Sequence, residues 1–321
     1  MFNTINYTQD KSSILLKLRY LKDYLNIKKS KMKEIIKRLI AITTVLFLSL
    51  LLNKATTLEQ QESFITDLGL QILVIIFSIQ FVVFLISFLF KTEHFYDLTG
   101  GITYITVVLF ALYQQHLKEV LNLRSIILGS LILIWAVRLS SFLFMRIKKA
   151  GKDRRFDQIK TSFTRFMLAW TLQGFWVFMC TLPAVTAFAS ESKSMDIFLI
   201  LGTLIWIFGF VIEVTADRQK SAFNQDPKNH GKFISTGLWS ISRHPNYVGE
   251  VLLWTGISLI TFPILEGYQY LVLISPLFTY LLLTRVSGVN LLEANADKKW
   301  GANEAYQKYK QNTPIFFPFK K

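Results

Sequence analysis

Charged and phenolic residues break into the most apolar stretches of this 321-residue chain at a small number of places. Arg138 lies in the inner half of one apolar run, and Glu213 and Asp217 stand one helical turn apart at the end of another. Glu250 opens a third run, Arg285 closes the last, and the pair Tyr96-Asp97 precedes a fifth. Ionisable groups in such surroundings are costly and mark function, pairing or water. Each has a plain structural reading. Arg285 suits a snorkelling end residue, Glu213 a helix-end carboxylate, and Glu250 an ion pair with Arg138 or Arg243. As a set, they describe a polar cavity at one end of a helical bundle that binds something charged.

The segment between the sixth and seventh apolar runs carries the densest chemistry. It contains Asp217-Arg218-Gln219-Lys220, Lys228-Asn229-His230-Gly231-Lys232, Ser235-Thr236-Gly237-Leu238-Trp239 and Arg243-His244-Pro245-Asn246-Tyr247-Val248-Gly249-Glu250. Lys and Arg suit phosphate or carboxylate, Arg through its bidentate fork. Asn and Asp can read an amide or a ribose, and the glycines permit tight turns and close backbone approach. The residue types fit a nucleotide-bearing cofactor. Neither the dinucleotide-fold nor the P-loop glycine fingerprint is present.

The elements that must position these residues are membrane spans. Hydrophobic residues make up 52% of the chain and charged residues 18%, below the roughly 25% of a soluble domain. Apolar runs at Leu39–Asn53, Leu68–Phe90, Leu98–Leu117, Ser125–Met145, Phe166–Ser190, Ile197–Ile212, Val251–Leu265 and Gly267–Thr284 predict an all-α integral membrane bundle of about eight helices. The division expected is 1–67, a basic amphipathic segment (Leu15–Lys33) on the lipid surface followed by an extra span, and 68–321, the main membrane domain.

Charge placement supports this count. The net charge is +15, and with eight spans 32 of the 36 Lys and Arg fall on one side, Arg138 counted there by its place in the inner half of its span. By the positive-inside rule that side is cytoplasmic, with both termini and the cofactor pocket facing it. The basic excess is thus topological, and no nucleic-acid partner is expected. No obligate protein partner is evident either; the partners expected are the bilayer and a lipophilic small molecule.

Other chemistries find little support. His94, His116, His230 and His244 lack metal-ligand spacing, and no HExxH occurs, so no metal is expected. Cys180, the single cysteine, sits among apolar residues and reads as packing. No GxSxG elbow supports a hydrolase.

The block from Asp217 through Lys220, Ser235-Thr236-Gly237-Leu238-Trp239 and Arg243-His244-Pro245-Asn246-Tyr247-Val248-Gly249-Glu250 resembles the C-terminal domain of the steroid 5-alpha-reductase family. The closer likeness is to its bacterial branch, a membrane domain of unknown function. Lys152-Asp153-Arg154-Arg155-Phe156-Asp157, Leu172-Gln173-Gly174 and the ending Tyr306, Tyr309, Pro314-Ile315-Phe316-Phe317-Pro318 add to it, over roughly residues 68–319. The resemblance implies seven spans around an NADPH pocket and reduction of a carbon–carbon double bond conjugated to a carbonyl. It puts Arg138, Asp217, Lys232, Asn246, Glu250 and Arg285 on cofactor-contacting or pocket positions, to which Arg243, His244 and Tyr247 are added from the loop. Lys232, Arg243, Lys148, Lys149 and Arg154 offer phosphate partners, which leans toward NADPH over NADH.

In the family a tyrosine stands three residues before the matching arginine; here that position is Trp135. Trp donates one N–H but cannot release a proton. The proton donor expected instead is Asp97, the counterpart of the family's acid on the preceding span, or its neighbour Tyr96. The change makes a terpenoid or fatty enone as plausible a substrate as a steroid. Arg-His-Pro-x-Tyr-x-Gly, with Glu293, Trp300-Gly301, Tyr306, Tyr309 and Pro314, also resembles the isoprenylcysteine carboxyl methyltransferases, which use S-adenosylmethionine. A non-catalytic transporter or scaffold is the third reading, weakened by the lack of paired Gly/Pro breaks at mid-span.

Overall fold

Backbone amides in hydrocarbon have no water to bond, so an apolar run of spanning length folds as a helix. The computed structural model describes residues 3–56, 67–190, 193–286 and 288–316, without the side chains of residues 3–18 and 154. All regular structure among these residues is helical. The principal helices are α1 (Asn3–Asn53), α2 (Leu68–Leu89), α3 (Tyr96–Leu117), α4 (Leu123–Ala150), α5 (Phe163–Ala189), α6 (Ile197–Gln225), α7 (Pro245–Thr261), α8 (Ser275–Leu281), α9 (Val289–Trp300) and α10 (Glu304–Asn312). Eight helical stretches are long and apolar enough to cross a membrane, and the chain is a multi-span helical bundle.

Helix starts follow local chemistry. Asp67, Asn122, Asp196 and Asn303 each accept a hydrogen bond from the backbone N–H three residues on. Two expectations differ in detail. The basic stretch 15–33 is not a separate surface helix, because α1 runs unbroken for 51 residues. No Gly or Pro interrupts it, and at 1.5 Å per residue it reaches about 76 Å, well beyond a hydrocarbon core of about 30 Å. The last span is broken: Gly267–Ile274 is a 3-10 helix, α8 begins with Pro276 in its first turn, and Leu282–Val286 is a π-helical turn.

Contacts sort the loops to two ends of the bundle. At one end, His94 Nε2 lies 2.8 Å from the Gly151 carbonyl, Trp300 donates to the Gly231 carbonyl and the Arg243 amide donates to Pro314. At the other, Arg124 donates to the carbonyls of Ile260 and Ser194 and pairs with Asp196 at 2.8 Å. The first end carries the basic segments.

The closest helix pair is α6 and α7, which run antiparallel with Gly202 against Gly256 and Gly209 against Gly249. A Cβ on Gly249 would stand 2.5 Å from the Gly209 carbonyl oxygen and 2.7 Å from the Glu213 nitrogen. Small residues let backbones approach in this way without lipid between them. The contact fixes Glu250, next in sequence, beside the α6 turn that bears Glu213. Gly249→Leu is expected to lose about 3 kcal/mol of stability or more, read as a lower thermal midpoint in detergent.

Candidate functional site

Trp135 and Arg138 lie one turn apart on α4 and face Glu213 and Asp217 on α6. The guanidinium forks between the two carboxylates: one nitrogen is 2.5 Å from Glu213 Oε1 and the other donates to Asp217 Oδ2. Trp135 Nε1 donates to the second Glu213 oxygen at 3.1 Å. The Glu213 side chain is only 3% exposed, so the pair is held deep in the bundle. The Glu250 carboxylate joins the same electrostatic group, with Oε1 buried and without a hydrogen bond. Two carboxylates thus grip one guanidinium, and a third lies close enough to interact with it through charge.

The face of α6 that carries this cluster continues toward the basic end as Lys220 and Asn224, at helical spacing from Asp217. There it walls a pocket of about 280 Å³. The floor is built by the 226–244 segment, pinned to α6 where Trp239 Nε1 donates to the Ala216 carbonyl and the Leu238 amide to Gln219. The C-terminal helices close the other side. Phe233, Trp300, Tyr306 and Tyr309 pack as one aromatic wall, and Lys220 and Lys299 lie over the faces of Trp239 and Trp300 at 4.3 and 4.5 Å. Glu293 on α9 accepts from Arg243 and lies 2.9 Å from His244 Nε2, which clasps the α6–α7 segment to the C-terminal helices. Lys232 and Asn295 complete the rim.

A notch of about 20 Å³ lies between α3 and α4, walled by Asp97, Gly100, Gly101, Tyr104, Trp135 and Trp176 among others. Asp97 lies 3.5 Å from the Arg155 guanidinium. Tyr96 points elsewhere. Its hydroxyl donates to the Ala169 carbonyl at 2.9 Å and its ring packs on Phe156 and Trp170.

Of the residues expected from sequence, Arg138, Asp217 and Glu250 meet in the buried cluster, while Lys232, Arg243 and His244 line the pocket. Tyr247 stacks on His244 with ring centroids 5.6 Å apart, and Asn246 is half-buried next to it. Arg285 is exposed in the π-helical turn, away from the lining of either cavity. Glu213, central to the cluster, was legible as an intramembrane carboxylate. Lys220, Trp239 and Glu293 gain their places only through the fold. No group of three His, Cys, Asp or Glu side chains able to hold a metal ion occurs among the described residues.

The family described as "Protein of unknown function (DUF1295)" matches residues 83–313. The chain is also similar to a probable O-methyltransferase of Ustilaginoidea virens, 27% identical over 26% of this chain and 30% of the relative. A Delta(14)-sterol reductase of Arabidopsis thaliana is 26% identical over 28% of this chain and 24% of the relative. The chain thus spans less than a third of the length of these curated relatives. No solved structure matches.

Two outcomes follow from this geometry. Arg138→Gln leaves Glu213 and Asp217 buried without their cation, and is expected to cost about 3–5 kcal/mol in a thermal or denaturant melt. Burial holds the His244 pKa below its ordinary 6.5, against the opposing hydrogen bond from Glu293. The unfolded chain therefore binds more protons there, so His244 contributes stability above pH 6.5 that is lost as pH falls toward its folded value. Thermal midpoints measured from pH 7.5 down to about 5 should drop, and His244→Gln should flatten that part of the profile.

Proposed function

The chain belongs to the DUF1295 family, which is steroid 5-alpha-reductase-like, and on that footing we propose that it is a membrane-embedded NADPH-dependent reductase. Its substrate class is a lipophilic molecule, such as a steroid, terpenoid or other lipid, with a carbon–carbon double bond conjugated to a carbonyl. The observation that carries the proposal is the continuous α6 face, which joins an aromatic pocket rimmed by Lys220, Lys232 and Lys299 to the buried Arg138 cluster. The sterol reductase among the relatives supports the same reaction type.

The donor set suits such a cofactor. A pocket of about 280 Å³ lies just below the roughly 300–1,000 Å³ of small-molecule sites, so it would take part of a dinucleotide and not the whole. Lys220, Lys232 and Lys299 would hold phosphates, Trp300 and Tyr306 would face the base, and Asn224 and Asn295 would meet ribose hydroxyls. Arg138 of α4, Asp217 of α6 and Glu250 of α7 gather further along the same α6 face, toward the membrane interior. When bound, the cofactor supplies the hydride. The bundle keeps water from the reacting atoms and lets the substrate enter from lipid. The basic end of the bundle is assigned to the cytoplasm, where a soluble nucleotide is available.

The second reading is an S-adenosylmethionine-dependent methyltransferase, favoured by the O-methyltransferase relative and by Glu293 in the pocket wall. Charge separates the two. Three lysines and Arg243 against one carboxylate attract a pyrophosphate and disfavour a sulfonium cation.

The test is thermal stability of the purified protein in detergent, with NADPH and S-adenosylmethionine titrated in parallel. NADPH is expected to raise the midpoint, and Lys232→Ala is expected to weaken its affinity about tenfold through a lost charge-assisted contact. Stabilisation by S-adenosylmethionine in place of NADPH would overturn the reductase reading.

A further inference from the structure

In the notch between α3 and α4, two hydrogen-bond donors lie unused. Tyr104 is 1% exposed and its hydroxyl has no oxygen or nitrogen partner among the described residues; the same holds for the buried Nε1 of Trp176. Both residues wall the notch. The Cys180 thiol lies beside both donors, but a thiol is a weak acceptor and leaves them largely free for a better one. Buried donors without partners are uncommon, because leaving them unpaired is costly.

Trp254 Nε1, whose ring stacks on Tyr104, and Gln173 Oε1 are likewise buried without a partner, but neither residue lines the notch. The polar groups that flank it are committed. Trp135 has given its N–H to Glu213, Asp97 is paired with Arg155, and Tyr96 donates to the Ala169 carbonyl. Two glycines of α3 line the notch: Gly101 lies close against α4, where a Cβ would strike Ser140 at 2.2 Å, and Gly100 faces Gln173 on α5. At about 20 Å³ it has room for roughly one water molecule, or one oxygen atom of a larger ligand. Half-buried Leu139 and Leu143 form the apolar part of its wall. Trp135 joins the notch to the cluster. Its ring stands perpendicular to Tyr104 at 5.0 Å while its N–H holds Glu213.

We propose that Tyr104 and Trp176 form a subsite for the polar oxygen of the lipophilic substrate, and that Tyr104 is the proton donor of the reaction. The second half of this statement rests on the reductase reading above. Two donors aimed at a carbonyl oxygen stabilise the negative charge that develops there. A bound reduced nicotinamide would supply hydride, with its two electrons, to the β-carbon of the enone. As that C–H bond forms, the O–H bond of Tyr104 breaks and its proton passes to the substrate oxygen. The resulting enol tautomerises to the saturated ketone, the cofactor is left oxidised, and the phenolate recovers a proton from water. In this arrangement Asp97 borders the subsite and holds Arg155.

The experiment uses the 321-residue protein in detergent, with a carbonyl-labelled long-chain alkyl cyclohexanone as a probe that cannot be reduced at a double bond. Infrared difference spectra of the carbonyl stretch report hydrogen bonds to its oxygen without any cofactor. The wild-type protein is expected to shift the stretch downward. Tyr104→Phe, which removes the hydroxyl and keeps the ring among Trp135, Trp176 and Trp254, is expected to lose most of that shift while responding normally to NADPH. Asp97→Asn is expected to keep it. Leu139→Phe, which narrows the notch and leaves Tyr104 in place, is expected to lose the shift, and it decides the matter should Tyr104→Phe fail to fold. An unshifted stretch in the wild type, or a shift that survives in either Tyr104→Phe or Leu139→Phe, overturns the subsite. A Tyr104-dependent shift in a protein that NADPH does not stabilise would leave the oxygen subsite standing and remove the proton-transfer role together with the reductase reading.

Discussion

A guanidinium inside a membrane bundle must be neutralised, and the way Arg138 meets that demand organises the rest of the structure. Glu213 and Asp217, one turn apart on α6, present two carboxylates to the two ends of one fork. That arrangement fixes the rotation of α6 relative to α4, since a turn of either helix would leave a buried charge unpaired. Once α6 is fixed, so is the direction in which Lys220 and Asn224 point. The water-facing pocket and the membrane-buried cluster are therefore two ends of one helix face.

The glycine contacts between α6 and α7 complete this arrangement. Gly209 and Gly249 allow a backbone approach that no side chain would permit, and they bring Glu250 to a cluster that already holds two carboxylates. Such crowding is hard to explain as a device for stability, because two small apolar side chains in place of the ions would pack at less cost. A third carboxylate beside a single cation makes better sense in a site that must meet a polar ligand. The clasp of Glu293 on Arg243 and His244 then attaches α9 and α10 as the outer wall of the same site.

The site spans two solvents. Its outer pocket is aromatic, cationic and open to water, which suits a soluble anionic molecule; its inner notch lies among tryptophans and leucines, within reach of lipid. The proposed reaction, which would join a water-soluble reagent to a lipid-soluble one, calls for such a polarity gradient along one axis. The α6 face supplies it, from lysine at one end to a guanidinium cluster at the other.

Much of this was legible in the residues. Apolar runs of spanning length determine eight spanning stretches, because a run of about 20 apolar residues in hydrocarbon closes its backbone hydrogen bonds within itself as a helix. The full length of α1 and the breaks in the last span came only from the structure. Intramembrane Arg138, Glu213, Asp217 and Glu250 announce a polar site by their cost alone. What only the tertiary structure decided is which of these residues meet. The phenol of Tyr96 turns into an aromatic cluster and Arg285 lies exposed, although both stand at span ends that looked equivalent in sequence. Lys220 and Glu293 stood in segments that the sequence singled out, but their meeting across one pocket came only from the fold. The free hydroxyl of Tyr104 was invisible for the same reason: helical periodicity gives the face a residue occupies, whereas an unpaired donor is defined by what neighbouring helices fail to offer it.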